Sequence, residues 1–364
     1  MNVAVRREPD SARSLLENVL RDGGDLAREY PLLFGAAEDA AHGFATVEED
    51  GAVRSACAFL RRDLVVGATR VQAGLIGSVA TEPAYRGRGF ARRALAAAEG
   101  ELVAAGASVA FLWADDADYY ARLGWRACGA ENDYVLPSAL ARALPGETGV
   151  RPRAPADDEA LHGLYSRHPE RAERTLAEMR ALLACPDMEV LVCERWGRVD
   201  AYACLGRGRD LRDTVHEWAG DARALLALLR SFLERRAGRG EEGDLYLMSP
   251  RSALDLAARL KAVGVEPVRG VLAMGKVLDL AAFAELARFA LDKRGATGVR
   301  LDAGGERVHL LGEHAELVCS RADLLEVVFH ARGDPSNADL AADALGLPKG
   351  RLPLEPFVWG LDSI

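Results

Sequence analysis

The sequence predicts a mixed α/β (α+β) fold made of two related segments and a smaller third. Three observations predict it. Residues 44–136 and 188–263 both run hairpin, strand, helix, strand, helix, which suggests an internal duplication. Residues 271–364 follow a different order of helix, hairpin, helix and Pro-led tail. A hydrophobic fraction of 49% over 364 residues is enough to bury cores for two to three domains at roughly 150 residues each.

The first segment spans 1–149. Helical spacing covers 11–21, and a second helix, broken by Asp, Gly and Pro, ends near Phe34. Residues 44–48 and 53–60 flank Asp50 and Gly51, a pair that tolerates positive φ, and predict a hairpin. The mostly apolar run 71–80 is the next strand and ends at Thr81, Glu82 and Pro83. After a glycine-punctuated loop comes a helix over 91–105, stopped by Gly106. The short apolar run 108–113 predicts a buried strand, a short helix around 119–123 ends at Gly124, and 134–136 closes the segment. Pro145, Gly146, Gly149, Pro152 and Pro155 mark a linker.

The second segment spans 150–270. Residues 188–195 and 199–205 pair across Trp196 and Gly197 as a hairpin. A strand over 214–218, an amphipathic helix over 221–236, a strand over 244–248 and a helix over 252–263 follow. The third segment, 271–364, places Leu280, Phe283, Leu286, Ala287, Ala290 and Leu291 in one helical arc. Residues 299–303 and 307–311 alternate around Gly304 and Gly305, and Ser320 with Asp323 forms a cap for a helix through His330. Pro348, Pro353 and Pro356 predict an extended tail to Ile364.

The 46 basic and 55 acidic side chains leave a net charge of −9, which argues against binding a nucleic-acid backbone and suits a cationic small-molecule or peptide amine. No apolar run reaches the roughly 18 residues of a membrane helix, and the N-terminus has no apolar signal core, so a cytoplasmic protein without membrane attachment is expected. The six cysteines form no CxxC pair and no Cys/His cluster. Buried free thiols are expected, with no disulfide and no metal.

Chemistry concentrates in one stretch. Residues 77–91 read Gly-Ser-Val-Ala-Thr-Glu-Pro-Ala-Tyr-Arg-Gly-Arg-Gly-Phe-Ala and lead straight into a helix. A strand, a glycine loop and a helix N-terminus together make an anion site, because unpaired backbone N–H groups and the helix dipole both favour negative charge. Gly87 and Gly89 allow positive φ and close approach of a phosphate, and Arg86, Arg88, Arg92 and Arg93 add charge. A tight turn with solvated arginines is the competing reading of the loop alone. The absence of GK[ST] excludes a P-loop, and the spacing is a poor dinucleotide fingerprint.

The run Arg86-Gly-Arg-Gly-Phe-Ala91 resembles the acetyl-CoA signature R/Q-x-x-G-x-G/A of the GNAT superfamily of N-acetyltransferases. The resemblance implies that the loop amides from Gly87 through Phe90, Ala91 and Arg92 hold the coenzyme pyrophosphate. It further implies that Val79, Ala80 and Thr81 leave backbone groups free for the pantetheine arm and thioester carbonyl. The run Tyr119-Tyr-Ala-Arg-Leu-Gly124-Trp-Arg resembles the family's Y-x-x-x-G-F/Y segment, with Trp125 as the aromatic. Tyr120 then holds the position that protonates the departing thiolate, a role that suits a phenol protonated at pH 7. Tyr119 is the competing residue, and a packing aromatic is the bland reading of either. Asp115, Asp116 and Asp118 cap the short helix, and the turn that Asp115 and Asp116 occupy also offers contact to the coenzyme arm or an amine.

The second segment departs from this pattern. Its matching junction reads Glu217-Trp-Ala-Gly-Asp-Ala222, so Asp221 places a carboxylate where a phosphate would sit. It is expected to bind no coenzyme and to wall the substrate cleft, with Glu217 as a substrate contact. A GNAT domain, a degenerate GNAT-like domain and a small domain like sterol carrier proteins resemble the Eis (enhanced intracellular survival) family of acetyltransferases. That resemblance implies a homo-oligomer and a C-terminal carboxylate, here that of Ile364, threaded into the first domain's active site as the base. Asp362 is the alternative carboxylate. The activity implied is direct acetyl transfer from acetyl-CoA to an amine in a ternary complex, without a metal. A coenzyme-binding sensor or a lipid carrier using the third segment's interior is the competing function.

Overall fold

Turn chemistry sets the first hairpin. Asp50 and Gly51 take φ of 55° and 75°, and the flanking strands pair in register from His42 opposite Leu60 to Glu49 opposite Ala52. The computed structural model describes residues 2–6, 10–24, 26–34, 42–293, 300–312, 315–329, 341–346 and 354–364. His330, Pro348 and Pro353, named above, lie outside the described residues. The fold is mixed α/β, and the chain divides into two compact units. Met1–Gly129, Val271–Pro356 and Ser363–Ile364 form the first; Ala130–Gly270 and Phe357–Asp362 form the second.

In the first unit the chain runs β1 (Asn2–Arg6), α1 (Asp10–Leu20), α2 (Leu26–Glu29), α3 (Pro31–Phe34), β2 (His42–Glu49), β3 (Ala52–Val66) and β4 (Thr69–Thr81). It continues through α4 (Phe90–Ala104), β5 (Val109–Leu112), α5 (Ala117–Ala121) and β6 (Arg126–Cys128). The second unit holds β7 (Glu131–Leu136), β8 (Val150–Pro152), α6 (Asp158–Tyr165), β9 (Glu170–Ala172), α7 (Leu176–Leu183), β10 (Glu189–Arg195) and β11 (Arg198–Leu205). There follow β12 (Thr214–Gly220), α8 (Ala222–Gly238), β13 (Leu245–Pro250), α9 (Leu254–Ala262) and β14 (Val268–Gly270). The chain returns to the first unit with β15 (Ala273–Val277), α10 (Leu280–Lys293), β16 (Arg300–Gly304), β17 (Arg307–Leu311), β18 (Glu316–Ser320) and α11 (Arg321–Val328).

The two large sheets share one path. In the first unit the order is β1-β2-β3-β4-β5-β15-β6, and in the second it is β8-β10-β11-β12-β13-β7-β14. β4 with β5, and β12 with β13, run parallel. The sixth position is exchanged in sequence: β15, from beyond residue 270, enters the first sheet, and β7 pairs with β13 in the second. The strand expected at 134–136 therefore lies in the second sheet, between β13 and β14, and does not close the first segment. Its pattern of buried Asn132, Tyr134 and Leu136 satisfies either sheet, and only long-range pairing decides between them.

Phe90, Ala94, Leu95, Ala98 and Leu102 form the buried stripe of α4 and pack on β2, β3 and β4. Closeness is set by Gly74, where a Cβ would stand 2.4 Å from Leu102 Cδ1. Ala110 and Leu112 of β5 point into that cluster, so Phe111 points to the other face, where its ring lies 5.8 Å from that of Phe329. The third segment thus packs within the first unit, through α10 on β4 and α11 on β15 and β6. The capping box of Ser320 with Asp323 forms as expected, and residues 354–364 run without a helix or strand. β3 extends six residues beyond the expected strand because Leu64 and Val66 continue the buried alternation past the polar Arg61–Asp63 pair. All six cysteines are free and buried. Among the described residues no helix is long and apolar enough to cross a membrane.

Glu131 and Asp133 share a face, Gly270 leaves room for them, and Glu131 Oε2 is buried with no hydrogen-bond partner among the described residues. Burial, then the neighbouring Asp133, pushes Glu131 up to about 8. The folded chain therefore holds a proton that the unfolded chain releases near the ordinary carboxylate value, and stability is lost as pH rises between them. Glu131→Gln is expected to stabilise the chain by about 3 kcal/mol at pH 7.5 and by almost nothing at pH 4.5. Denaturant midpoints at the two pH values check this; an equal gain at both would contradict the buried proton.

Candidate active site

β4 and β5 pair in parallel only from Ala73–Leu75 to Val109–Phe111 and then separate. On its other edge β4 carries a bulge, since Gly77 faces Ala58 but Ala80 faces Ala56. Ser78 and Val79 occupy the bulge, and Ser78 takes a φ of 48°, a conformation that costs a non-glycine residue about 1 kcal/mol or more. Ser55 Oγ holds the strand beyond it, donating to Ala80 O at 2.9 Å and lying 2.8 Å from Thr81 Oγ1. Thr81 O accepts from Arg86 Nε at 3.2 Å. Of the three expected backbone contributors, Val79 is the one without a register partner on β3.

The loop after β4 is open. Glu82 N is fixed by Arg54 O, a 3-10 turn covers Pro83–Tyr85, and Gly87 and Gly89 take φ of 77° and 75°. A Cβ at either glycine would meet nothing within 4 Å. Gly89 is the N-cap of α4 and offers no side chain to its first-turn amides, which by helix geometry have no intrahelical acceptor. Arg88 lies 4.8 Å above the Tyr85 ring and 3.3 Å from Glu49, while Arg54, which sequence reading missed, lies 4.5 Å above the same ring and pairs with Glu82 at 2.6 Å. Arg92 is exposed, and its charge is felt by Tyr119.

Val79, Tyr85, Phe90, Tyr119 and Tyr120 all pack against one buried cluster, so the bulge, the loop and α5 converge on a common core. Asp116 caps α5 by accepting from Tyr119 N at 3.0 Å, and Asp115 and Asp118 are exposed beside it. Tyr120 is half-buried, edge-on to Trp125 at 6.5 Å and to Tyr119 at 5.1 Å. Burial, with help from Tyr119, Cys57, Asp115 and Asp116, pushes its phenol up to about 12. It therefore stays protonated throughout the physiological range, as a proton donor must.

Ile364 reaches the bulge. A Cβ built on Gly77 would stand 1.8 Å from Ile364 O and 2.2 Å from Ile364 C, so the backbone carbonyl group of Ile364 rests against the bare face of Gly77. Sequence reading singled out Ile364 but not Gly77. The available signal was a glycine inside a strand, which marks a bulge or a close backbone approach.

Glu217 and Asp362 are not where the sequence put them. Both side chains are fully buried in the second unit, each paired with Arg174 at 2.7 Å, so neither faces a substrate. Tyr202 donates to Glu217 at 2.8 Å, Tyr165 donates to Asp362 at 2.8 Å, and the Tyr165 ring lies 3.9 Å from the guanidinium. Losing one partner of such a pair typically costs about 3–5 kcal/mol. Asp221 does cap α8, accepting from Ala224 N at 2.9 Å. β12 also separates from β13 after Val215 and carries a bulge at His216, so the second sheet repeats the geometry of the first while its helix N-terminus is filled by a carboxylate.

Residues 37–128 match the family model of the acetyltransferase (GNAT) domain. That stretch is similar to a GNAT domain. Three solved structures resemble the chain end to end. A GCN5-related N-acetyltransferase from Anabaena variabilis matches with a TM-score of 0.67 at 13% identity over 100% of both chains. A probable N-acyltransferase from Enterococcus faecalis gives 0.68 at 13%, again over 100% of both. Eis1 from Mycobacterium abscessus gives 0.58 at 15% over 98% of this chain and 99% of that one. At these identities the likeness is one of fold. No curated protein sequence matches the chain.

Proposed function

We propose that the chain transfers an acetyl group from acetyl-CoA to an amine by direct attack in a ternary complex. One contrast carries this reading: the GNAT domain keeps an open glycine loop at its helix N-terminus, whereas the second unit fills the equivalent junction with Asp221. The amides of Gly87, Arg88, Gly89, Phe90, Ala91 and Arg92 are the groups to hold the diphosphate, and Arg86 already braces the loop on Thr81. The Ile364 carboxylate at Gly77 takes the proton that a protonated amine must lose before attack. The new C–N bond forms as the C–S bond breaks, the Val79 amide steadies the oxyanion, and Tyr120 gives its proton to the thiolate. Asp115 and Asp116 stand at the turn flanking Tyr120.

The lipid-carrier reading has little support. The cavity lined by Ala287, Leu291, Leu310, Leu324, Val327 and Leu354 amounts to about 10 Å³, room for about one water.

Calorimetry with acetyl-CoA, paired with thiol release across an amine panel, tests the proposal. Binding with release for at least one amine is expected, and binding without release for any amine would favour a coenzyme sensor. Gly89→Asp places a carboxylate at the N-cap of α4, at a φ of 75° that costs a non-glycine residue about 1 kcal/mol of stability, and coenzyme affinity falls on the order of 100-fold through lost amide contacts and a new like charge. Unchanged affinity in that variant would remove the loop from the site.

A further inference from the structure

A strained bulge persists only where its surroundings hold it. Ser78 takes a φ of 48° in the β4 bulge, and in the β3–β4 register Cys57, Ser78 and Val79 are skipped. Pairing resumes with Ala56 opposite Ala80 and Ser55 opposite Thr81. Ser55 is fully buried, and its one hydroxyl proton goes to Ala80 O at 2.9 Å. Its oxygen lies 2.8 Å from Thr81 Oγ1, so with that proton committed the Thr81 hydroxyl is the donor between them. One side chain of β3 thus ties down both residues that follow the bulge. The preceding residue of β3 holds the next one: Arg54 O accepts from Glu82 N at 2.9 Å, and Arg54 Nη1 donates to Glu82 at 2.6 Å.

The second sheet has the bulge but not this pair of hydroxyls. Past its bulge at His216, Glu217 faces Cys204 and Trp218 faces Ala203. Ala203 and Trp218 therefore stand at the register positions of Ser55 and Thr81. Trp218 Nε1 donates instead to Met248 O of β13 at 3.1 Å. An alanine fills a buried strand position without a hydroxyl to satisfy, as Ala203 does, so packing alone gives no reason for a serine at 55. The two facing hydroxyls occur in the unit whose glycine loop is open, and the unit whose helix N-terminus is filled by Asp221 has neither.

We propose that Ser55 is a positioning residue for acetyl transfer: its hydroxyl locks the end of β4, so that the strained bulge keeps the Val79 amide where it meets the thioester carbonyl. Ser55 acts through Ala80 and Thr81 and touches neither coenzyme nor amine. The Thr81 hydroxyl is committed to Ser55, which leaves the Val79 amide and not the Thr81 side chain as the donor to the oxyanion. The catalytic consequence rests on the acetyl-transfer reading, but the lock does not.

The test uses the full chain with Ser55→Ala. Hydrogen exchange of the backbone amides of residues 78–82, read by mass spectrometry, should rise at least roughly 10-fold, with α4 protected as in wild type. Turnover should fall roughly 10-fold while coenzyme affinity stays within about twofold. Thr81→Val keeps the side-chain shape and the bond from Ser55 to Ala80 but removes the second donor. It should move exchange and turnover in the same direction by less. Exchange equal to wild type in both variants would overturn the lock. Faster exchange with wild-type turnover would take Ser55 out of the reaction and leave acetyl transfer standing. Equal losses of turnover and coenzyme affinity would make Ser55 a support of the whole site and overturn its specific role. If the wild-type chain acetylates no amine, the acetyl-transfer reading falls on its own, and exchange still decides whether Ser55 locks the bulge.

Discussion

Tyr120→Phe is expected to lower turnover by about 10²- to 10³-fold, the usual worth of a positioned general acid, while coenzyme affinity stays within about twofold. The phenol is suited to this role by its surroundings. Burial is the largest cause of its rise to about 12, and Tyr119, Cys57, Asp115 and Asp116 add to it, so no basic limb of the rate profile below about pH 11 belongs to Tyr120. The ring itself packs edge-on to Trp125 and against the common core, contacts that Phe retains. A loss of turnover in Tyr120→Phe is therefore a loss of the hydroxyl and not of the fold. Steady-state kinetics alongside calorimetry separate the two, and full turnover would take Tyr120 out of the reaction. Tyr119→Phe is the control, since Tyr119 offers the neighbouring phenol and its backbone N already serves the Asp116 cap.

What the sequence made legible and what it hid divide along a physical line. The glycine loop, the start of α4, the Asp221 cap and the Ser320–Asp323 capping box are local features, each fixed within a few residues by backbone conformation or a helix terminus. The exchange of β7 and β15 is not local. β15 reads Ala-Met-Gly-Lys-Val, with no clean alternation, because it lies between β5 and β6 in the interior of its sheet and is covered on both faces. Its pairing carries no signature short of the whole topology, and the expected boundary near 149 fell beyond the observed one at Gly129 for the same reason. The Arg174 cluster was hidden differently. Its members are 43 and 145 residues apart in sequence, and a lone Arg, Glu or Asp is by default a surface residue. Placing Glu217 and Asp362 at a substrate followed that default and failed because each had a buried partner.

The Ile364 carboxylate proposed as the base gives the second large expectation. Gly77→Ala puts a methyl group where Ile364 O and its carboxyl carbon now lie, 1.8 and 2.2 Å from the ideal Cβ. Gly77 lies in β4 in register with Ala58, so its backbone cannot retreat without breaking that pairing, and Ile364 must give way instead. A displacement of about 1 Å in a catalytic group costs on the order of 100-fold in rate. Turnover at neutral pH should fall by about that factor and recover as pH rises, because an amine that deprotonates in solution no longer needs a base. Truncation after Ser363 removes the same carboxylate position without touching β4, and should give a matching loss. Combined with Gly77→Ala it should cost no more than either alone, since both changes remove one group. A rate at neutral pH equal to that of the wild type in both variants would leave Ile364 as packing and require another base.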